Sequence, residues 1–372
     1  MVPDPWAVRI GDCWSGLSKS TVLPFPISLG AALGTYCGRV ATPPRIGLAL
    51  GGGGIAGYAF HAGVLGAIQE MTGWDARTAD VIIGTSAGSG IAALLRGNVA
   101  VPDMVNRMLS ISTNPGDMSR LRKASGRGVR LSGGLWFGPS SPKLLARELC
   151  RLHRLRPLNL VVGALPNGRV DNDVLGDQTS KLHERWPEQT TWIPAVSLDT
   201  GELTVFGRDE GHDVDMADAV AASCAIPGFF QPVKISGQRY VDGGARSMVN
   251  VDLLADLDLD LVVVLSPMSL TALSPRSPFA SVLRGYPRFQ LARELALLDS
   301  AGVPHLTFEP DRGTARAMGA NPMDPTCVVP SLTVAAATAT NSLADSRYID
   351  SLGLLAEAGR MISSPTDVPY PD

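Results

Sequence analysis

Residues 46–90 read IGLALGGGGIAGYAFHAGVLGAIQEMTGWDARTADVIIGTSAGSG, and their reading decides the fold. Residues 46–50 are a short apolar run of buried-strand type, followed at once by glycines 51–54. Residues 58–71 continue in a helical pattern. Val81, Ile82 and Ile83 form a second buried strand, which residues 84–88, GTSAG, bring to an end. Residues 87–96 are small and apolar enough to make a buried helix. The order is therefore strand, glycine turn, helix, strand, sharp turn, helix.

Two pieces of chemistry fit this stretch. G-x-S-x-G between a strand and a helix is a nucleophile elbow, which exposes the Ser86 hydroxyl on a strained turn. Its neighbours Gly84 and Gly88 must lack side chains, because anything larger collides with the flanking strand and helix. The helix N-terminus beneath Ser86 favours developing negative charge. The glycine run offers consecutive backbone N–H groups that can cradle an oxyanion during acyl transfer. It has a rival reading. Gly52, Gly54 and Gly57 fit the G-x-G-x-x-G dinucleotide fingerprint, with Asp75 or Asp80 as the acid downstream. A dinucleotide-binding acid should close the second strand, whereas Asp80 precedes it. A Walker phosphate loop is excluded, since no Gly-Lys-Ser/Thr follows the glycines.

The 372-residue chain can bury one large or two modest cores. Only 18% of it is charged, and its net charge of −3 argues against a nucleic-acid partner. Cys13, Cys37, Cys150, Cys224 and Cys327 are far apart and form no C-x-x-C pair, so neither a zinc site nor a disulfide framework is indicated. Free thiols in a reducing, cytoplasmic setting are the expectation. No apolar span is long enough for a transmembrane helix. Residues 21–37 come nearest, but Pro24 and Pro26 interrupt them, and Asp4 and Asp12 spoil a signal-peptide n-region. Residues 1–43 read as an N-terminal extension.

Further along, residues 101–111 predict a helix. Residues 107–156 carry eleven basic side chains against two acidic ones, with Trp136 and Phe137 in their midst. A solvated basic loop and a lid that touches anionic lipid fit this region equally. Residues 278–291, with Phe279, Tyr286 and Phe289 among Arg284 and Arg288, are a second candidate for peripheral membrane contact. Residues 141–155 resemble an amphipathic helix. Residues 158–164 read as a strand, and so do 191–197, which an Asp-Thr-Gly turn joins to an antiparallel partner at 203–206. An alanine-rich helix over 215–225 stops at Pro227 and Gly228. Residues 261–265, LVVVL, are a buried strand, 305–309 a last one, and 331–360 supply one or two closing helices. The alternation implies an α/β fold whose mainly parallel sheet is covered on both faces.

A serine needs a base. Of the histidines, His61 lies inside the helix after the glycine turn, His153 and His183 lie in polar surroundings, His212 sits in a loop and His305 begins a strand. None is favoured by its local sequence. Asp242 differs, because it ends a strand and is followed by Gly243 and Gly244 in a tight turn that backbone can approach closely. If that strand end opens beside the elbow, Asp242 can bond to Ser86 and act as base without histidine.

G-G-G-x-x-G, then G-T-S-A-G-S, then D-G-G, in this order, resembles the patatin-like phospholipase family. Residues 198–201, LDTG, and 221–230, AASCAIPGFF, also look like family segments. The similarity covers residues 45–267 and weakens beyond. It implies a three-layer α/β/α fold with a catalytic domain over 44–267, which 268–372 complete. It implies a Ser86–Asp242 dyad, an oxyanion hole at Gly52, Gly53 and Gly54, no metal or other cofactor, and a lipid or fatty-acyl ester as partner. Family members often carry Arg or Lys where this chain has Ala56. The implied activity is lipid acyl hydrolysis of phospholipase A, lysophospholipase or carboxylesterase type. A dinucleotide-binding protein and a catalytically silent membrane-associated relative are the alternatives.

Overall fold

Apolar runs separated by glycine become the inner strands of one sheet. The computed structural model describes residues 42–111, 138–150, 157–170, 173–209, 214–269 and 278–363. The N-terminal extension up to residue 41, Trp136, Phe137, His153 and His212 lie outside the described residues. Pro43 opens the compact unit to which the following description belongs.

The strands are β1 (Ile46–Leu50), β2 (Val81–Gly84), β3 (Thr190–Ser197), β4 (Leu203–Phe206), β5 (Val233–Ile235), β6 (Gln238–Asp242), β7 (Leu261–Leu265) and β8 (His305–Phe308). β1 pairs in parallel with β2 and with β7, β2 with β3, and β7 with β8. β3 pairs antiparallel with β4 and β6, and β6 antiparallel with β5. The helices are α1 (Gly54–Thr72), α2 (Ala87–Arg96), α3 (Val101–Ile111), α4 (Pro142–Cys150), α5 (Pro157–Ala164), α6 (Asp173–Ser180), α7 (Met216–Ser223), α8 (Pro278–Ala301), α9 (Arg312–Met318), α10 (Val328–Leu343) and α11 (Ile349–Ser363).

Successive side chains of a strand point to opposite faces, and here both faces are buried. Ile46, Leu48 and Leu50 of β1 share a core with α1, α2, α3, α10 and α11. Ala49 of β1, and Val262 and Val264 of β7, turn the other way and meet Leu291 and Leu298 of α8. The result is an α/β/α sandwich. No single helix among the described residues is long and apolar enough to cross a membrane. α10 and α11 together pass by length and composition, but a bend of 81° separates them.

Residues 158–164, expected as a strand, are instead helix α5. Pro157 starts it, which suits the first helical position. Asn159, Val162 and Gly163 are buried while Val161 and Ala164 are exposed, a spacing of three to four rather than two. Val162 packs with Leu144 of α4 against Val196 and Val241, immediately before Asp242.

One strand arranges the site. β2 pairs with the first half of β3, where Ile83 faces Trp192. β6 runs antiparallel along the second half and stops with Asp242 opposite Ala195. Between these two stretches lies Pro194, so two strand ends approach the same backbone carbonyl from opposite directions.

Candidate active site

β2 delivers Ser86 in a conformation that residues with a Cβ rarely adopt. Its φ is 53° and its ψ −119°. A Cβ on Gly88 would overlap the Leu50 carbonyl oxygen, and one on Gly84 would sit 2.5 Å from the Gly88 oxygen. Only glycine at both positions lets α2 start this close to β1 and β2. Ser86 occupies the N-cap position of α2, yet its side chain makes no capping bond. The Asp242 carboxylate lies close enough for the Ser86 hydroxyl to favour its charged form.

Both groups are nearly sealed from solvent, at 6% exposure for Ser86 and 5% for Asp242. Burial pushes the Asp242 carboxyl up to about 6, against the Ser86 hydroxyl and the Gly244 N–H, which both favour the charged form. That Gly244 N–H donates to Asp242 Oδ1 at 2.7 Å. Gly243 lies against the Pro194 carbonyl, where a Cβ would not fit. The two glycines after the acid therefore do different things: the first allows close approach, the second holds the carboxylate.

The glycine turn after β1 divides its donors. Gly51 N–H donates to Leu265 O at 2.9 Å and Gly52 N–H to Met248 O at 2.7 Å. Gly52, expected among the oxyanion donors, is thus already engaged. No acceptor among the described residues takes the N–H of Gly53, Gly54 or Ala87. Gly52 still runs beside the nucleophile position, since a Cβ there would lie 3.2 Å from the Ser86 Cβ. Ala56 is fully buried, and its N–H donates to Pro322 O.

The three described histidines are engaged elsewhere. His61 is buried in α1 with Nε2 against Gly51 O at 2.8 Å, and burial lowers its pKa to about 4. His183 meets Ala93 O, and His305 meets Thr307 and Asp299. The acids of the dinucleotide reading are engaged as well. Asp80 Oδ2 accepts the Ile46 N–H at the start of β1, at the opposite end of the strand from the glycine turn, and Asp75 pairs with Arg77.

Several site residues carried no role in the sequence. Ser223 Oγ accepts the Ser86 N–H at 3.0 Å and donates to Pro194 O at 2.7 Å. Ser89 Oγ donates to Ser86 O at 2.6 Å and lies 3.6 Å from Cys224 Sγ. Burial and the Asp242 charge push the Cys224 thiol up to about 12, so it stays protonated. Asn250 Nδ2 donates to Thr85 Oγ1 at 3.0 Å, which ties the elbow to the loop after Asp242. Tyr286 and Phe289 of α8, candidates for lipid contact, are 45% and 61% exposed.

Comparison with known proteins gives the family. A family model described as patatin-like phospholipase matches residues 48–255, more than half of the chain. An uncharacterized NTE family protein of Mycobacterium tuberculosis is 28% identical over 228 residues, covering 61% of this chain and 50% of its own. Omega-hydroxyceramide transacylase of Mus musculus is 23% identical over 278 residues, or 74% of this chain and 39% of its own. The chain thus spans half or less of the length of these curated relatives. Among solved structures, the type III effector ExoU aligns over 85% of this chain and 54% of its own, with 17% identity and a TM-score of 0.33. VipD from Legionella pneumophila aligns over 81% and 67%, with 15% identity and a TM-score of 0.35. The chain belongs to the patatin-like phospholipase family.

Proposed function

We propose that the protein is a serine lipid acyl hydrolase working through a Ser86–Asp242 dyad. The observation that carries this reading is a serine held at a strained nucleophile elbow beside a buried carboxylate whose charged form its hydroxyl favours. Asp242 takes the proton as Ser86 Oγ attacks the ester carbonyl. The oxyanion that forms is held by the N–H groups of Gly53 and Gly54, with Ala87 at the α2 N-terminus as a third donor. Each such donor contributes about 3 kcal/mol to the transition state. Collapse expels the alcohol, which leaves with the proton from Asp242. Asp242 then deprotonates water, the hydroxide attacks the acyl-enzyme, and the fatty acid departs as Ser86 regains its proton. An acid with a pKa of about 6 suits this dual use, because it changes protonation state at little cost near neutral pH.

The expected substrate is a fatty-acyl ester, which follows from the family. Ser86→Ala should abolish both ester turnover and covalent labelling by a fluorophosphonate, whose phosphorus mimics the tetrahedral centre. Wild-type protein that stays unlabelled, or an alanine variant that still hydrolyses a nitrophenyl ester, would overturn the reading.

A further inference from the structure

The Ser86 backbone is the most strained point of the proposed machinery, and something must hold it. A non-glycine residue with this φ stores about 1–3 kcal/mol. The relaxed alternative is near at hand. Ser86 is the N-cap of α2, and a serine in ordinary extended geometry there turns its oxygen onto the helix N–H groups. In that state the hydroxyl would face α2, and Asp242 would keep the Gly244 N–H but lose the Ser86 hydroxyl.

We propose that Ser223 is the positioning residue that prevents this relaxation, an inference that rests on Ser86 being the nucleophile. Ser223 is the last residue of α7 and is fully buried. Its single hydroxyl does two things at once. It accepts the Ser86 N–H at 3.0 Å and donates to the Pro194 carbonyl of β3 at 2.7 Å. The elbow is thereby tied to the carbonyl that Gly243 approaches, next to Asp242. Ser89, equally buried, clamps the other side of the residue, with both its hydroxyl and its N–H donating to Ser86 O at 2.6 and 2.8 Å. Ser89 belongs to α2 itself and moves with the elbow. Ser223 comes from a different helix, so it alone of the two fixes the elbow relative to β3. Neither serine contacts the reacting atoms in this scheme; each acts through Ser86.

The positioning role differs from a purely structural one in what its loss should do. Ser223→Ala removes two hydrogen bonds but also lets Ser86 relax, so the two stability effects oppose each other. Reactivity has no such compensation. The maximal rate of fluorophosphonate labelling, and kcat on a nitrophenyl ester, should fall about 10- to 100-fold, as a misplaced nucleophile does. KM should stay within about twofold. The acid limb of the pH profile should move to higher pH, because Asp242 loses the hydroxyl that favours its charged form. Ser223→Cys keeps the side-chain volume with a weak donor and acceptor, and should behave like the alanine variant. Ser223→Thr keeps the hydroxyl and should recover most of the rate. If the alanine variant fails to fold, the cysteine variant decides. Labelling of a folded Ser223→Ala or Ser223→Cys protein at the wild-type rate overturns the proposal, and so does a loss confined to KM. Failure of the wild-type protein to label at all would instead sink the nucleophile assignment.

Discussion

Asp242→Asn is expected to remove activity and stabilise the protein in the same substitution. The loss follows from chemistry, since asparagine cannot take the Ser86 proton, and a general base contributes about 10²–10⁴-fold. The gain follows from burial. The folded protein raises this carboxyl from 3.8 to about 6. A group whose pKa is raised by folding contributes stability below its unfolded pKa and loses that contribution as pH climbs through the folded value. Above about pH 7 the native enzyme therefore carries an ionised, desolvated carboxylate that works against the fold, by on the order of 1–3 kcal/mol. Asparagine removes that charge while its side-chain oxygen still accepts from Gly244. The melting temperature of the variant should exceed that of the wild type above about pH 7, and the difference should vanish towards about pH 4. Wild-type turnover should rise with pH through about 6 as the base ionises. Undiminished turnover in the variant, or a lower melting temperature at mildly alkaline pH, would refute this account.

The second large effect concerns a methyl group. Gly88→Ala would drive a Cβ into the Leu50 carbonyl oxygen, which also accepts the Thr85 N–H at 2.9 Å. Neither atom belongs to a side chain that can rotate away. α2 must retreat from β1, and the elbow retreats with it. Overpacking typically costs about 1–3 kcal/mol, and a backbone collision belongs at or beyond the top of that range. Whatever fraction folds should label slowly with fluorophosphonate. Gly353→Ala in α11 is the control, because nothing lies within 4 Å of the added carbon. It should be neutral or stabilise by up to about 1 kcal/mol. Equal melting temperatures for the two variants would show that the elbow packs more loosely than described.

Much of this was legible in the sequence because the deciding features are local. β1, β2 and β7 are apolar runs bounded by glycine or polar residues, and GTSAG between a strand and a helix admits few other structures. Asp242 stood out only through its two glycines, and its distance from Ser86 in sequence gave no measure of their separation in space. What closes that gap is the length of β3, which serves β2 with one half and β6 with the other. The misreading of residues 158–164 has a plain cause. A short run rich in valine and leucine suits a buried helix as well as a strand, and the flanking Pro157 was the better guide. The engagement of Gly52 by Met248 could not be read at all, because it depends on a backbone carbonyl nearly two hundred residues away. Ser223 was visible inside a family-like segment, but a hydroxyl that bridges two backbone groups leaves no periodic or compositional trace.

The route by which Asp242 arrives has a bearing on heat inactivation. β6 is held by three registered pairs to β3 and three to β5, itself only three residues long. The nucleophile, in contrast, rests on the parallel ladders of the central sheet. Short ladders open in cooperative local excursions well below the free energy of global unfolding. Catalysis should therefore fade, reversibly, at temperatures where the calorimetric transition has not begun, and amides of residues 238–242 should exchange with deuterium ahead of those in β1 and β7.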